Sequence, residues 1–153
     1  MLPTTRGEQP VRVLLVERSE ETRDLFAALF TGMGYEVKTF TTGTEALAHA
    51  PLFRPHAIFS SIFLPDQSGY DLCAGMRRMP ATANALIVAI TGHTAPNAAQ
   101  LAQAAGFDRY LVKPVKLETI LETMQAIDGY RGKAMPDAPL PTAAYDRACP
   151  ASA

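Results

Sequence analysis

Tryptophan is absent from this chain of 153 residues, and cysteine and histidine are scarce, with two and three copies respectively. Cys73 and Cys149 have neither the paired spacing of a zinc site nor the number that a disulfide framework requires. His49, His56 and His93 fall in different predicted elements and lack the spacing of metal ligands. We therefore expect no metal site and no disulfide-linked fold, which is typical of a reduced, cytoplasmic protein.

Strong net charge and long apolar runs are also lacking. Charged residues make up 19% of the chain, and their balance of -1 gives no general attraction to nucleic acid or to anionic lipid. No apolar run approaches the roughly 18 residues of a membrane span, and residues 1–10 lack the apolar stretch of a signal peptide. The mostly irregular residues after Ile127 are too few for a DNA-binding helix-turn-helix. We expect a soluble protein that binds neither membranes nor nucleic acid.

The sequence does contain a regular alternation of short apolar runs and segments with helical spacing. The apolar, β-branched runs predict strands at 11–16, 35–40, 56–61, 85–91 and 109–112. The segments that follow each run predict helices at 19–34, 42–50, 69–79, 95–105 and 116–127. Ser19 is expected to cap the first helix, and Gly34 is expected to end it.

This alternation predicts the fold class. Parallel strands need a crossover about as long as a helix, and right-handed crossovers place helices on both faces of the sheet. The chain is therefore expected to form a doubly wound, parallel α/β domain. Residues 1–10 are expected to be a flexible N-terminus and 11–128 the domain, while 129–153, rich in proline and alanine, are expected to be a disordered tail.

Chemistry in a sheet of this kind is expected outside the carboxyl ends of the strands. The residues at those ends are Glu17 and Arg18 after the first strand, Ser61 in the third, Thr91 in the fourth and Lys113 after the fifth. The sequence therefore predicts one crevice in which these five side chains meet.

Six short motifs follow one another along the chain. They are Val13-Leu-Leu-Val16, Gly34-Tyr-Glu-Val37, Gly43-Thr-Glu-Ala-Leu47, Leu64-Pro65 with Gly69-Tyr-Asp-Leu-Cys73, Ala89-Ile-Thr-Gly92, and Ala105-Gly-Phe-Asp-Arg-Tyr-Leu-Val-Lys-Pro114. In this order and at this spacing, the motifs resemble the receiver domain of bacterial two-component response regulators over residues 11–127. The resemblance implies a flavodoxin-like sheet of five parallel strands, in the order 2-1-3-4-5, with five helices.

The resemblance also implies a role for each position in the crevice. In the family an aspartate ends the third strand and accepts a phosphoryl group, and two acids after the first strand help to hold Mg²⁺. A hydroxyl after the fourth strand, a lysine after the fifth and an aromatic residue in the fifth respond to the phosphoryl group. Thr91, Lys113 and Tyr110 match these last three positions. The phosphoacceptor position falls on Ser61 and the acidic pair on Glu17 and Arg18, so the chain resembles a pseudo-receiver, degenerate at the phosphorylation site.

The differences from the family at residues 18 and 61 are important because they change the formal charge of the crevice. The family's crevice carries three carboxylates and one ammonium, a formal charge of two negative units, whereas Glu17, Arg18 and Lys113 together give one positive unit. A hard dication needs oxygen ligands and negative charge, so we expect no Mg²⁺ and no phosphorylation of Ser61. We expect a non-enzymatic module without a cofactor, which binds a protein partner such as a histidine kinase. The resemblance places that contact on the fourth helix, fifth strand and fifth helix, with a homodimer as an alternative.

Several alternatives stay open at this stage. Arg18 can point inward, so that Arg18, Thr91 and Lys113 form an anion site, or it can point to solvent and pair with Glu20 or Glu21. Lys113 can instead form a structural ion pair with Glu17.

Tyr110 can be a half-buried strand residue rather than a switch. A second function is a flavodoxin-like protein that binds a small ligand, an anion or a cofactor. The carboxylates of the first loop, at residues 17–22, disfavour a phosphate cradle there.

Overall fold

The computed structural model describes residues 10–92 and 96–131, with side chains as far as residue 127. The strands are β1 (Arg12–Val16), β2 (Glu36–Phe40), β3 (Ala57–Ser61), β4 (Leu86–Thr91) and β5 (Arg109–Val112). The helices are α1 (Glu20–Gly32), α2 (Gly43–Phe53), α3 (Gly69–Arg77), α4 (Ala98–Ala105) and α5 (Leu117–Arg131). The predicted alternation of five strands and five helices is confirmed.

The five strands form one parallel sheet in the order β2-β1-β3-β4-β5. Val16 of β1 lies beside Ser60 of β3, and Ser61 lies beside Ile90 of β4. Thr91 lies beside Val112 of β5. This register brings the carboxyl ends of β1, β3, β4 and β5 to one edge of the sheet, and the doubly wound class with the implied strand order is confirmed.

Apolar side chains cover both faces of the sheet, as expected for buried parallel strands. On one face, the strands pack against α2, α3 and α4, with Leu14, Ile58 and Tyr110 fully buried. On the other face, they pack against α1 and α5, where Phe30 and Phe59 lie with ring centroids 4.8 Å apart. The central strands are therefore held rigidly on both sides.

A capping side chain marks the start of three of the helices. Ser19, Thr42 and Ser68 each accept a hydrogen bond from a backbone N–H in the first turn of the helix that follows. The predicted Ser19 cap is confirmed, and Gly34, with a φ of 90°, follows the end of α1.

Several predicted boundaries differ from the structure by one to four residues. Helix α2 continues past the predicted end at residue 50 because Pro51, in its last turn, interrupts only one backbone bond before Arg54 ends the helix. Helix α3 ends at Arg77, two residues early, and α5 extends to Arg131, beyond the predicted end at residue 127. Most of the predicted tail, the predicted N-terminus and the start of the fourth predicted helix lie outside the described residues, as do His93 and Cys149.

Among the described residues, no helix combines the length and the apolar character needed to cross a membrane.

Candidate functional site

The carboxyl edge of the sheet brings together several of the predicted residues. Glu17 directly follows β1, and its backbone N–H donates to the carbonyl of Phe40 at 3.0 Å. The backbone N–H of Lys113 donates to the carbonyl of Thr91 at 2.8 Å, which places Lys113 over the end of β4. Ser61 ends β3 between these two positions in the sheet. The structure therefore brings Glu17, Ser61, Thr91 and Lys113 to the edge of the sheet where the crevice is predicted.

Glu17 and Lys113 form an ion pair across this crevice. The Lys113 Nζ lies 3.2 Å from Glu17 Oε1, and the two side chains are 29% and 2% exposed respectively. The second carboxylate oxygen, Oε2, accepts a hydrogen bond of 2.8 Å from the backbone N–H of Ser19. Both oxygens of the buried carboxylate are thus engaged, and the prediction of a structural Glu17–Lys113 pair is confirmed.

Ser61 is buried, and its hydroxyl has only a weak partner. Its Oγ donates a long hydrogen bond of 3.4 Å to the carbonyl of Phe63, and its own carbonyl accepts from the Ser60 hydroxyl at 2.8 Å. Within the described part of the chain, no carboxylate accepts a hydrogen bond from the Ser61 hydroxyl. Without such a base, the hydroxyl is a poor nucleophile.

Arg18 is exposed. Its backbone carbonyl accepts a hydrogen bond from Arg23, whose guanidinium also binds the carbonyl of Glu17 at 2.9 Å. In the described residues, Arg18 forms no ion pair with Glu20 or Glu21, so that predicted pairing is wrong. The charge of Arg18 is therefore solvated rather than buried beside Lys113.

Thr91 and Tyr110 are both buried at this end of the sheet. Tyr110 is fully buried in β5, so the alternative of a half-buried residue underestimates its burial. Its ring belongs to the apolar cluster that also includes Ala98 and Ala102 of α4. A change of rotamer at Tyr110 would therefore disturb the packing of α4, although its role as a switch stays a prediction.

Sequence reasoning missed Asp66, in the loop that follows Ser61. Asp66 Oδ1 accepts from the backbone N–H of Gly43 at 2.9 Å, and Oδ2 accepts from the N–H and the hydroxyl of Thr44 at 2.8 and 2.6 Å. These bonds, first that of the Thr44 hydroxyl and then that of the Gly43 amide, hold the pKa of Asp66 well below its usual range. No local signal predicts them, because the partners lie more than twenty residues away.

A second missed group lies at the opposite end of the sheet. The Arg77 guanidinium donates to the carbonyls of Gly106, Ala83 and Ala85 and pairs with Asp108 at 2.8 Å. These bonds tie the end of α3 to the loops before β4 and β5. The group is far from the crevice and stabilises the fold.

Among the described residues, no three His, Cys, Asp or Glu side chains lie close enough together to hold a metal ion. The crevice itself offers one carboxylate, that of Glu17, and the hydroxyls of Ser61 and Thr91. The crevice thus contains one ion pair, whose two charges cancel, and two hydroxyl groups.

Residues 13–125 match the family model described as response regulator receiver domain. Response regulator MprA of Mycobacterium sp. (strain KMS) is 30% identical over 119 residues, which are 77% of this chain and 50% of MprA. The chain thus spans about half the length of this curated relative.

Solved structures agree with this match. The chemotaxis response regulator CheY4 of Vibrio cholerae is 32% identical, with a TM-score of 0.72 over 78% of this chain and 99% of CheY4. The receiver domain of sensor histidine kinase PA1611 from Pseudomonas aeruginosa PAO1 is 25% identical, with a TM-score of 0.70 over 82% of this chain and all of that domain. Its structure has a magnesium ion coordinated in the active site cleft. The fold, the ordered motifs and these matches together show that the chain belongs to the response regulator receiver domain family.

Proposed function

We propose that this chain is a phosphorylation-independent receiver module of a two-component pathway, which acts by binding a protein partner. Receiver domains interact with signalling proteins such as histidine kinases, and this chain keeps their sheet and helices. The observation that carries the proposal is the state of the crevice. Residue 61 is an alcohol, and the carboxylate of Glu17 is already bound by Lys113 and by the Ser19 amide.

A phosphoryl group has no suitable acceptor in this arrangement. The family's aspartate attacks as a carboxylate, whereas the Ser61 hydroxyl needs a base to remove its proton. Glu17 is the acid that follows β1 and would have to act as that base, but its two oxygens are engaged by Lys113 and by the Ser19 amide. A serine phosphate would also be a stable ester, unlike the labile acyl phosphate that makes a receiver reversible.

Magnesium does not fit the residues present. Mg²⁺ requires near-octahedral oxygen ligands and a negatively charged site. Here Glu17 would have to release Lys113, and no second acid stands beside it because the next residue is Arg18, which is exposed. The ion pair leaves the crevice formally neutral, with one negative charge on Glu17 and one positive charge on Lys113.

The same neutrality weakens the alternative of an anion site formed by Arg18, Thr91 and Lys113. The positive charge of Lys113 is paired with the negative charge of Glu17, and Arg18 is exposed. The predicted excess of positive charge is therefore not concentrated in the crevice. Anion binding in the crevice therefore stays a prediction, and the protein-binding module is the function that we propose.

The proposed docking face consists of α4, β5 and α5. Leu101 of α4 and Leu117 and Leu121 of α5 are large apolar side chains that remain exposed. Helix α4 carries no charged residue along its length, so a partner or a second copy would meet an apolar, uncharged helix. Such a surface favours protein contact over charge-paired association.

The test compares the chain with a variant whose acids have been restored. With acetyl phosphate and Mg²⁺, we expect no phosphoryl mass increase in the natural chain, and with beryllofluoride no change in the Tyr110 resonances. The double variant Ser61→Asp with Arg18→Asp restores three carboxylates and is expected to bind Mg²⁺ and to gain the mass of one phosphoryl group.

A stoichiometric phosphoryl adduct on the natural chain would overturn the proposal. If the double variant folds but binds no Mg²⁺, the charge argument for residues 18 and 61 is wrong.

A further inference from the structure

A cavity of about 520 Å³ opens on the β2 edge of the sheet, at the end opposite the crevice. It lies between the first residues of β1, the outer strand β2 and the last turn of α2. Its volume is within the 300–1,000 Å³ typical of small-molecule sites. None of its lining residues belongs to the crevice of Glu17 and Lys113, so any role of this cavity is independent of the proposed function.

The apolar part of the cavity comes from two neighbouring residues of α2. The Phe53 ring is buried, and Lys38 Nζ lies 5.6 Å from its centroid. Leu52, directly before Phe53, is 88% exposed, the largest exposure among the described large apolar side chains. A ring-sized apolar group that entered the cavity would cover both residues, removing apolar surface from water.

Positive charge is concentrated around this apolar surface. Arg12, Lys38 and Arg54 line the cavity together with a single acid, Glu36, whereas the chain as a whole has a net charge of -1. The Arg12 Nε donates to the carbonyls of Phe53 and Arg54, both at 2.9 Å, which fixes the guanidinium against the end of α2.

The carbonyl end of α2 explains the position of one of these three cations but not of the other two. Arg12 is drawn to the carbonyl groups at the negative end of the helix. Lys38 and Arg54, in contrast, form no ion pair with a carboxylate in the described part of the chain. Their two positive charges exceed the negative charge of Glu36 by one unit, and the Lys38 ammonium lies over the Phe53 ring.

We propose that this cavity binds a small organic anion, in which an apolar group about the size of a phenyl ring carries a carboxylate. The ring would lie against Phe53 and Leu52, and the carboxylate would lie near the nitrogens of Lys38 and Arg54. Charge complementarity determines that the ligand is an anion, because a neutral or cationic ligand would leave the excess positive charge of the cavity without a partner.

The experiment titrates the full chain with 3-phenylpropanoate and follows amide resonances by NMR. We expect saturable shifts at Lys38, Phe53 and Arg54. The cation 3-phenylpropylamine keeps the phenyl group and the short chain but carries an ammonium in place of the carboxylate, so it should bind at least about tenfold more weakly. The double variant Lys38→Gln with Arg54→Asn should weaken binding of the acid about tenfold or more.

The double variant is chosen so that a loss of binding can be distinguished from a loss of folding. Arg54 has a φ of 53°, a left-handed conformation that asparagine tolerates, and Lys38 is exposed, so the variant should keep its melting temperature. The exposed Lys116→Gln serves as the charge control, with unchanged binding.

Any of four results would overturn the proposal. They are the absence of saturable shifts at the cavity, shifts confined to Thr91 and Lys113, equal binding of the amine, and full binding by the folded double variant.

Discussion

Replacing Lys113 with methionine should destabilise the protein strongly. The change keeps most of the side-chain volume but removes the ammonium that lies 3.2 Å from the buried Glu17 carboxylate. At that distance the pair attracts by about 5 kcal/mol at an effective dielectric of 20, and by about 1 kcal/mol in bulk water. Since Lys113 is 29% exposed and Glu17 is 2% exposed, we expect an intermediate loss of about 2–3 kcal/mol.

Urea denaturation measures this loss, and a double-mutant cycle with Glu17→Gln isolates the pair. Removing both partners should cost less than the two single losses together, with a coupling of about 1.5–2 kcal/mol. The exposed Lys116→Met, three residues away, is the matched control and should change stability by less than about 0.5 kcal/mol. A loss for Lys113→Met as small as that of the control, or additive single losses, would refute the view that the ion pair stabilises the fold.

Three further predictions concern residues that stabilise the fold. Gly69→Ala should cost about 3 kcal/mol or more by thermal unfolding, because the added Cβ would overlap the backbone at the end of β3, whereas Gly32→Ala, with open space, should be neutral or stabilising. Asp66→Asn should lower stability by about 1 kcal/mol near neutral pH. Because the folded pKa of Asp66 is depressed, its contribution is present above the unfolded value of about 4 and is lost as the pH falls further, so the two unfolding curves should converge in acid. Arg77→Met should cost about 2–3 kcal/mol in urea, since it leaves part-buried carbonyls without a donor, while the exposed Arg78→Met should have little effect.

The sequence was informative about the fold because its signals are local. Apolar strands, the Ser19 cap and the glycine that follows α1 each depend on neighbouring residues, and the structure confirms them. The end of α2 was less predictable. Pro51 normally marks a helix end, but only one backbone bond depends on its missing N–H, so packing carries the helix on to Phe53.

The site was predictable only in part. The meeting of Glu17 and Lys113 follows from the parallel sheet, because both residues stand at carboxyl ends of strands. The carboxylate of Asp66 and the guanidinium of Arg77 find their partners across loops that only the complete fold brings together. The direction of the Arg18 side chain also depends on tertiary surroundings, since a charged residue after a strand can face either way.

Helix α2 connects two distant parts of the molecule. The backbone N–H groups of its first two residues donate hydrogen bonds to Asp66, in the loop that follows β3. Its last residues form a wall of the cavity beside β2. The helix is about 16 Å long at 1.5 Å per residue. One helix therefore spans the distance from the loop beside the crevice to the wall of the cavity, two places in the fold that share no residue.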